Sequence, residues 1–363
     1  MNTDARADGA GATGQGAVAA AALGALRAGL MAAVPILLAL LLAGLLLMAF
    51  GKDPLAYYGY VVRRGLLSPS GLEQTLTRMA PLLLIAAGLI VAFRAGIWNL
   101  GIDGQFMLGA LAAAASGPAL SGVIPGWAVL TVAAGLGALA AMAWSVLPAL
   151  LRAFQGVNEI ITTLMMSFLG LSLANALVKL VFRDPATTVP QTRTLPVDER
   201  LPRLFETTVS SGLVIGLVAV VAVHLMMTRT AFGLRLRIVG AGPRAAVHAG
   251  LDLPWLTVAV FALSAALAGL AGAVDVLGVY GNIRADWNPG FGLVVIPVVF
   301  LARLNGFAAI GFVFLFSMLS IGGESAARRL GVPTVFTLVL VAIVLIVLAV
   351  AEWLDQRARA RRA

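Results

Sequence analysis

The sequence predicts an all-α integral membrane protein, and three observations lead to this fold class. The chain of 363 residues is 61% hydrophobic and only 11% charged, whereas a soluble domain carries about 25% charged residues. Its mean hydropathy is +1.00. Its apolar runs last roughly 18–25 residues without period-two alternation, which is typical of spanning helices. Because lipid offers the backbone no hydrogen-bond partner, we expect the spanning segments to be helical.

Ten apolar segments are predicted to span the membrane. They lie near residues 31–50, 78–93, 104–120, 124–151, 159–182, 209–228, 254–279, 291–303, 304–322 and 334–352. The third, eighth and ninth are short or marked by Gly and Pro, so broken or re-entrant helices are expected there. Residues 1–30 are expected to form a cytoplasmic N-terminal tail, 31–352 the polytopic transmembrane domain, and 353–363 a basic cytoplasmic tail.

The distribution of charged residues indicates how the chain is oriented in the membrane. An even number of spans places both termini on one side, and the arginines next to the first and last spans favour the cytoplasm. The net charge of +9 does not indicate nucleic acid, because the arginines are scattered and form no basic patch with interleaved aromatic residues.

The residue inventory excludes several kinds of chemistry. The chain has no cysteine, which excludes disulfides and thiolate catalysis. Two histidines, His224 and His248, are too few for a histidine metal cage, so we expect no metal site and no cofactor of its own. The phosphate-binding pattern G-x-x-x-x-G-K-[ST] is absent from the sequence, and so are the motifs H-E-x-x-H and G-x-S-x-G. If transport is driven by ATP, another chain must bind ATP and Mg²⁺.

Residues 93–109 (FRAGIWNLGIDGQFMLG) place polar side chains between two apolar spans. Asn99, Asp103 and Gln105 lie among four glycines there. Polar groups at membrane depth are costly and usually face a cavity or pair with one another, and glycines let the backbone leave helical geometry. One interpretation is a broken-helix substrate site. The other is a turn between two helices, with Asp103 near a helix N-terminus and Arg94 reaching toward water.

Residues 156–170 (GVNEIITTLMMSFLG) form a second polar group. Asn158 and Glu159 open the fifth predicted span, and Glu159, Thr162 and Thr163 fall on one helical face. That face could line an aqueous path. Alternatively, Glu159 favours the positive helix N-terminus and the threonines bond back to carbonyl groups.

Residues 229–253 form the longest loop predicted to be cytoplasmic. Gly240 and Gly242 give a turn signal, and Pro243 is well placed in the first turn of a short helix. Such a helix could dock a partner protein, or it could lie on the membrane surface and be held by arginines.

Small residues at 264, 265, 268, 269, 272 and 273 predict a close-packing helix face. Asp275 lies near its end and could face the substrate path.

Five segments identify a resemblance. They are 93–110 (FRAGIWNLGIDGQFMLGA), 157–170 (VNEIITTLMMSFLG), 230–251 (TAFGLRLRIVGAGPRAAVHAGL), 264–273 (SAALAGLAGA) and 290–310 (GFGLVVIPVVFLARLNGFAAI). In their order and extent they resemble the membrane permease subunit of ABC importers of the purine-nucleoside and simple-sugar group. That group is related to the ribose and branched-chain amino acid permeases.

The resemblance implies a type II importer fold of about ten helices, in the bacterial cytoplasmic (inner) membrane. It implies a second permease subunit (we expect a paralogue, giving a heterodimer), an ABC ATPase and an extracytoplasmic binding protein, either a lipoprotein or periplasmic. The residues implied to lie near the substrate path are Asn99, Asp103, Gln105, Asn158, Glu159, Thr162 and Thr163. Those implied to couple to the ATPase are Gly233, Arg235, Gly240, Pro243, Arg244, Ala245 and Ala246.

The sequence therefore favours an ATP-driven permease for a nucleoside or a simple sugar. An ion-coupled secondary transporter is the rival from another class, and it would use Asp103, Glu159 and Asp275 as buried proton or Na⁺ sites. The hypothesis of a membrane-embedded enzyme has little support, because the sequence shows no pairing of a nucleophile with a base and no cluster of metal ligands.

Overall fold

The computed structural model describes residues 37–333 and 335–360, which are helical apart from loops and two isolated β-bridges. Thirteen α-helices occur in these ranges: α1 Leu37–Ala49, α2 Pro54–Val62, α3 Pro69–Arg94, α4 Ile102–Leu120, α5 Gly126–Gln155, α6 Glu159–Leu180, α7 Gly212–Arg229, α8 Ala231–Ala241, α9 Pro243–His248, α10 Leu253–Asp275, α11 Phe291–Leu301, α12 Gly306–Leu330 and α13 Val335–Ala360. The π-helical turns Arg63–Leu67 and Val276–Tyr280 and the 3₁₀ turn Val197–Glu199 complete the helical structure described.

Each predicted apolar segment coincides with one of these helices, while α2 was not predicted. Six helices in the described ranges are long and apolar enough to cross a membrane: Pro69–Arg94, Gly126–Gln155, Glu159–Leu180, Gly212–Arg229, Leu253–Tyr280 and Gly306–Leu330. The figure of ten spans therefore stays a prediction. The predicted N-terminal tail lies outside the described residues, and residues 353–360 of the predicted basic tail continue α13.

Local signals account for where the long helices begin and end. The Ser68 side chain accepts a hydrogen bond from the Gly71 N–H at 3.2 Å, and Pro69 follows at the first helical position. Helix α3 therefore starts nine residues before the predicted span near 78–93. Asp252 caps α10 in the same way through the Trp255 N–H. Helix α5 ends at Gln155 and is followed by Gly156, whose φ of +66° suits glycine.

The chain divides into two compact units. Of the described residues, 37–58, 327–333 and 335–360 form one unit, and the other is Gly59–Ala326. In the first unit the Phe336 ring contacts Tyr57 edge-on at 5.6 Å between centroids. The Lys52 ammonium donates to the Leu330 carbonyl there at 2.9 Å.

The larger unit, Gly59–Ala326, has two ends that can be defined by their contacts. At one end, the α8 end, Gly240 packs on the last turn of α3, and the Arg94 guanidinium of α3 donates to the Leu304 carbonyl at 3.0 Å. At the other, the 181–211 end, the Thr192 and Leu195 N–H groups bond to the loop that follows α10. Helix α3 thus runs toward the α8 end and α10 runs away from it.

A three-glycine junction forms the centre of the larger unit. Gly109 of α4, Gly137 of α5 and Gly269 of α10 meet backbone to backbone. A Cβ atom at Gly137 would lie 2.8 Å from the Gly109 carbonyl oxygen, and one at Gly109 or Gly269 would overlap a facing backbone. This confirms the close-packing face predicted on α10, because small residues let helix backbones approach.

Gly269→Val is expected to destabilise the protein by about 1–3 kcal/mol or more, because the facing backbone cannot yield to the added side chain. The measurement is the apparent melting temperature of the purified protein in detergent. Gly135→Val on α5 is the matched control, since nothing lies within 4 Å of a Cβ atom there. Equal melting temperatures for the two variants would contradict the proposed role of the junction.

Candidate functional site

A buried polar junction lies where α4 begins. The Asn99 amide donates to the Gln105 carbonyl oxygen at 2.9 Å and to the Ser264 hydroxyl of α10 at 3.0 Å, and the Gln105 amide donates back to Asn99 at 3.2 Å. Asn99 and Gln105 are at most 1% exposed. The structure therefore brings these two predicted residues together, paired with each other rather than facing open space.

Helix α6 supplies acceptors to the same junction. The Thr163 hydroxyl accepts from the Leu100 N–H at 3.1 Å, and the Ser167 hydroxyl accepts from the Gly104 N–H at 3.1 Å. The Gly104 N–H belongs to the first turn of α4, where no intrahelical acceptor exists, and the Leu100 N–H lies just before the helix. One face of α6 thus satisfies backbone donors that lie inside the protein.

Asp103 connects the junction to α11. Its carboxylate Oδ1 accepts from the Gly292 N–H at 2.6 Å, at the first turn of α11. Helix α11 has no side-chain cap of its own, so a residue of α4 caps it. The positive N-termini of α4 and α11 therefore lie close together with a carboxylate between them. This is the arrangement by which broken helices present their ends to a solute.

The remaining residues predicted for the substrate path lie outside the junction. Asn158 is exposed and caps α6 by accepting from the Ile160 N–H at 2.9 Å. Glu159 forms an ion pair with Arg152 at 3.3 Å. The Thr162 hydroxyl bonds back to the Asn158 and Glu159 carbonyl oxygens, both at 3.3 Å. A role for all seven residues in the path stays a prediction.

The residues predicted to couple to an ATPase belong to α8 and α9. Helix α9 begins at Pro243, which confirms the predicted helix start. Pro243, Arg244 and Ala245 are exposed together, while Ala246 is buried. Three further residues belong to α8: Arg235 is exposed, Gly233 packs on the end of α7, and Gly240 packs on the end of α3.

A charged cluster that the sequence prediction missed lies between α3 and α12. Arg78 Nη1 donates to Glu324 Oε1 and to the Ser320 hydroxyl, both at 3.0 Å. The same guanidinium lies 5.9 Å above the Phe291 ring. Asp275 of α10 is 6% exposed, and its Oδ2 has no hydrogen-bond partner among the described residues.

The sequence signal available for this cluster is a charged residue, Arg78 or Glu324, inside an otherwise apolar helix. The predicted second span begins at position 78 and the ninth ends at 322, so Arg78 falls on the edge of one predicted span and Glu324 just beyond the other. The structure shows both side chains within continuous helices.

A loop–helix latch lies toward the 181–211 end. The Asn175 amide and the Lys179 ammonium of α6 donate to Asp286 Oδ1 at 2.6 and 3.2 Å, and the Asp286 N–H donates back to Asn175. The two side-chain donors hold the pKa of Asp286 below its usual range. The loop after α10 is thereby fixed on α6.

Comparison with known proteins decides the family. Residues 71–349, more than half of the chain, match the permease component of the branched-chain amino acid transport system family. The chain belongs to this family. The six apolar helices agree with a multi-pass membrane protein, and a permease component of an ABC transporter is not itself expected to be an enzyme.

Curated relatives of the permease cover most of its length. The glucose ABC transporter permease of Haloferax volcanii is 32% identical over 88% of this chain and 86% of its own. The nucleoside ABC transporter permease protein of Lactococcus lactis is 27% identical over 87% and 89%, respectively. The guanosine ABC transporter permease of Bacillus subtilis is 30% identical over 76% and 80%.

Thr163→Val is expected to destabilise the permease by about 0.5–1.5 kcal/mol, because it removes the acceptor of the part-buried Leu100 N–H while keeping the side-chain shape. Thr162→Val is the matched control, since its hydroxyl bonds only within α6. Thermal unfolding of both variants in detergent measures the difference. A Thr162→Val variant as unstable as Thr163→Val would argue against the capping role of Thr163.

Proposed function

We propose that this chain is the transmembrane permease subunit of an ATP-driven ABC importer that translocates a nucleoside or a simple sugar. The observation that carries the proposal is its near full-length similarity to permeases of ABC transporters for glucose and nucleosides. In this proposal an extracytoplasmic binding protein delivers the solute to the 181–211 end. The complex lies in the bacterial cytoplasmic membrane, with both termini of this chain in the cytoplasm and a paralogous permease as its partner.

The surface of α8 and α9 supports docking of a separate ATPase. The chain lacks a phosphate-binding loop, so ATP and Mg²⁺ would be held by that partner. Helix α9 presents Pro243, Arg244 and Ala245 to its surroundings while Ala246 anchors it in the bundle. A short helix that is exposed on one face and packed on the bundle by the other can pass a movement of the docked partner on to the bundle.

A continuous set of contacts leads from this surface to the polar junction. Gly240 of α8 lies against the Arg94 carbonyl and against Gly96. Three residues after Gly96 the chain reaches Asn99, which bonds Gln105 and Ser264. A displacement of α8 therefore acts directly on the segment that positions the starts of α4 and α11, and we propose that ATP binding opens the path by this route.

The rival hypothesis, an ion-coupled transporter, depends on Asp103, Glu159 and Asp275 as titrating sites. Asp103 caps α11 and Glu159 pairs with Arg152, so two of the three carboxylates already have structural partners. Asp275 alone has an oxygen without a described partner. The ATP-driven mechanism accounts for more of the observed geometry.

Affinity purification of the chain from its native membranes in a mild detergent tests the proposal. We expect a chain carrying the G-x-x-x-x-G-K-[ST] loop to co-purify in near-equal amounts, together with a second permease. A chain that purifies alone and moves a solute down an ion gradient in vesicles would reject the ATP-driven mechanism.

Arg244→Glu is expected to lower solute uptake by about tenfold or more, because charge reversal at a docking surface costs several kcal/mol. ATP hydrolysis and membrane insertion should persist, so that hydrolysis is uncoupled from uptake. Arg244→Lys keeps the charge and should retain more of the uptake than Arg244→Glu. Wild-type uptake in Arg244→Glu would remove this residue from the coupling surface.

A further inference from the structure

A cavity of about 240 Å³ opens beside the latch, between α6, α4 and the loop after α10. This volume lies just below the range of about 300–1,000 Å³ that holds drug-sized ligands, so it suits a smaller solute. One side is apolar, with Met107, Leu171 and Val178 among its residues. The other is polar and comes mainly from the loop 283–288.

The polar side offers hydrogen-bond donors that have no partner yet. Within residues 37–333 and 335–360, the Ser172 hydroxyl and the Arg284 guanidinium make no hydrogen bond or ion pair. The Asn288 Oδ1 accepts from the Gly290 N–H at 2.9 Å, which leaves its amide N–H groups available. These exposed donors are available to a ligand that presents hydrogen-bond acceptors.

The single aromatic side chain in the lining, Trp287, is held in a fixed position. Its ring contacts Tyr280 at 5.1 Å and Phe106 at 6.0 Å between centroids. The neighbouring Asp286 is fastened to Asn175 and Lys179 of α6. The indole therefore needs little ordering when a ligand arrives, and preorganisation of this kind favours binding.

The charged side chains of the lining leave one group available to a ligand. Arg284 and Asp286 are its two charged side chains, and Asp286 is already paired with Lys179 of α6, so the guanidinium of Arg284 is the group that a ligand can use. A fixed indole favours a flat aromatic ligand, since stacking of a base on an aromatic side chain contributes to binding whatever the base. A guanidinium suits the O6 and N7 acceptors of guanine. A hexose has neither the aromatic face nor these ring acceptors.

We propose that this cavity is a nucleoside-binding subsite in the permease itself, in which Trp287 stacks on a purine base and Arg284 donates to the edge of that base. The ribose hydroxyls then bond to Ser172 and Asn288. The subsite narrows the solute of the proposed function to a purine nucleoside, and in that respect it rests on that function. Trp287 and Arg284 become residues that determine specificity.

Equilibrium binding tests the subsite. The transporter is purified with its partner subunits, without the binding protein, placed in nanodiscs, and incubated with radiolabelled guanosine or glucose. The wild type should bind guanosine and not glucose. Trp287→Ala should weaken guanosine binding roughly tenfold, Arg284→Ala should weaken it as well, and Trp287→Phe should restore part of the affinity because it keeps an aromatic face.

Matched controls separate the cavity from general effects of substitution. Trp127→Ala removes an exposed tryptophan outside the cavity, and Arg193→Ala removes an exposed arginine of the loop that follows α6. Both should bind guanosine like the wild type, and all variants should elute as the intact complex in size-exclusion chromatography.

The outcomes distinguish the subsite from the proposed function, which is tested separately by uptake into cells. Guanosine uptake with no guanosine binding, or with unchanged binding in Trp287→Ala, overturns the subsite alone. Glucose binding equal to guanosine binding overturns the purine assignment. Failure of the wild type to take up any of a panel of nucleosides and simple sugars overturns the proposed function.

Discussion

The larger unit of this permease depends on satisfying a helix that begins inside the protein. The first N–H groups of α4 have no acceptor within the helix, and in an apolar surrounding each unpaired group would cost several kcal/mol. Ser167 of α6 supplies an acceptor to the Gly104 N–H, and Thr163 supplies one to the Leu100 N–H just before the helix. The Asn99–Gln105 pair closes the junction with Ser264 of α10. The polar residues of segments 93–109 and 156–170 thus act together to satisfy backbone groups around the start of α4.

The same requirement explains how the start of α11 is placed. Helix α11 has no capping side chain of its own, and Asp103 of α4 provides one. A carboxylate suits this position because both helix N-termini carry partial positive charge. Loss of the start of α4 would remove Asp103 and leave α11 without its capping group, so the placement of α11 depends on α4.

Most of the helices could be predicted from the sequence, whereas the partners of the polar residues could not. Hydropathy depends on neighbours along the chain, and it located every long helix. The bond from Asn99 to Ser264 joins residues 165 positions apart, and no local pattern indicates it. Arg78 and Glu324 were missed because hydropathy ends a span at a charge, while the helices continue where two charges pair. Helix α2 was missed because it is only nine residues long, too short for a spanning segment.

The three-glycine junction has a consequence for how such a transporter can move. Interiors packed backbone to backbone do not deform continuously, so we expect α4, α5 and α10 to move as one body in any change of access. We expect sliding at contacts made by side chains, such as the one between α3 and α12 where Arg78 meets Glu324. An ion pair can break and re-form without repacking a core. Relative movement of α3 and α12 is therefore expected at this contact.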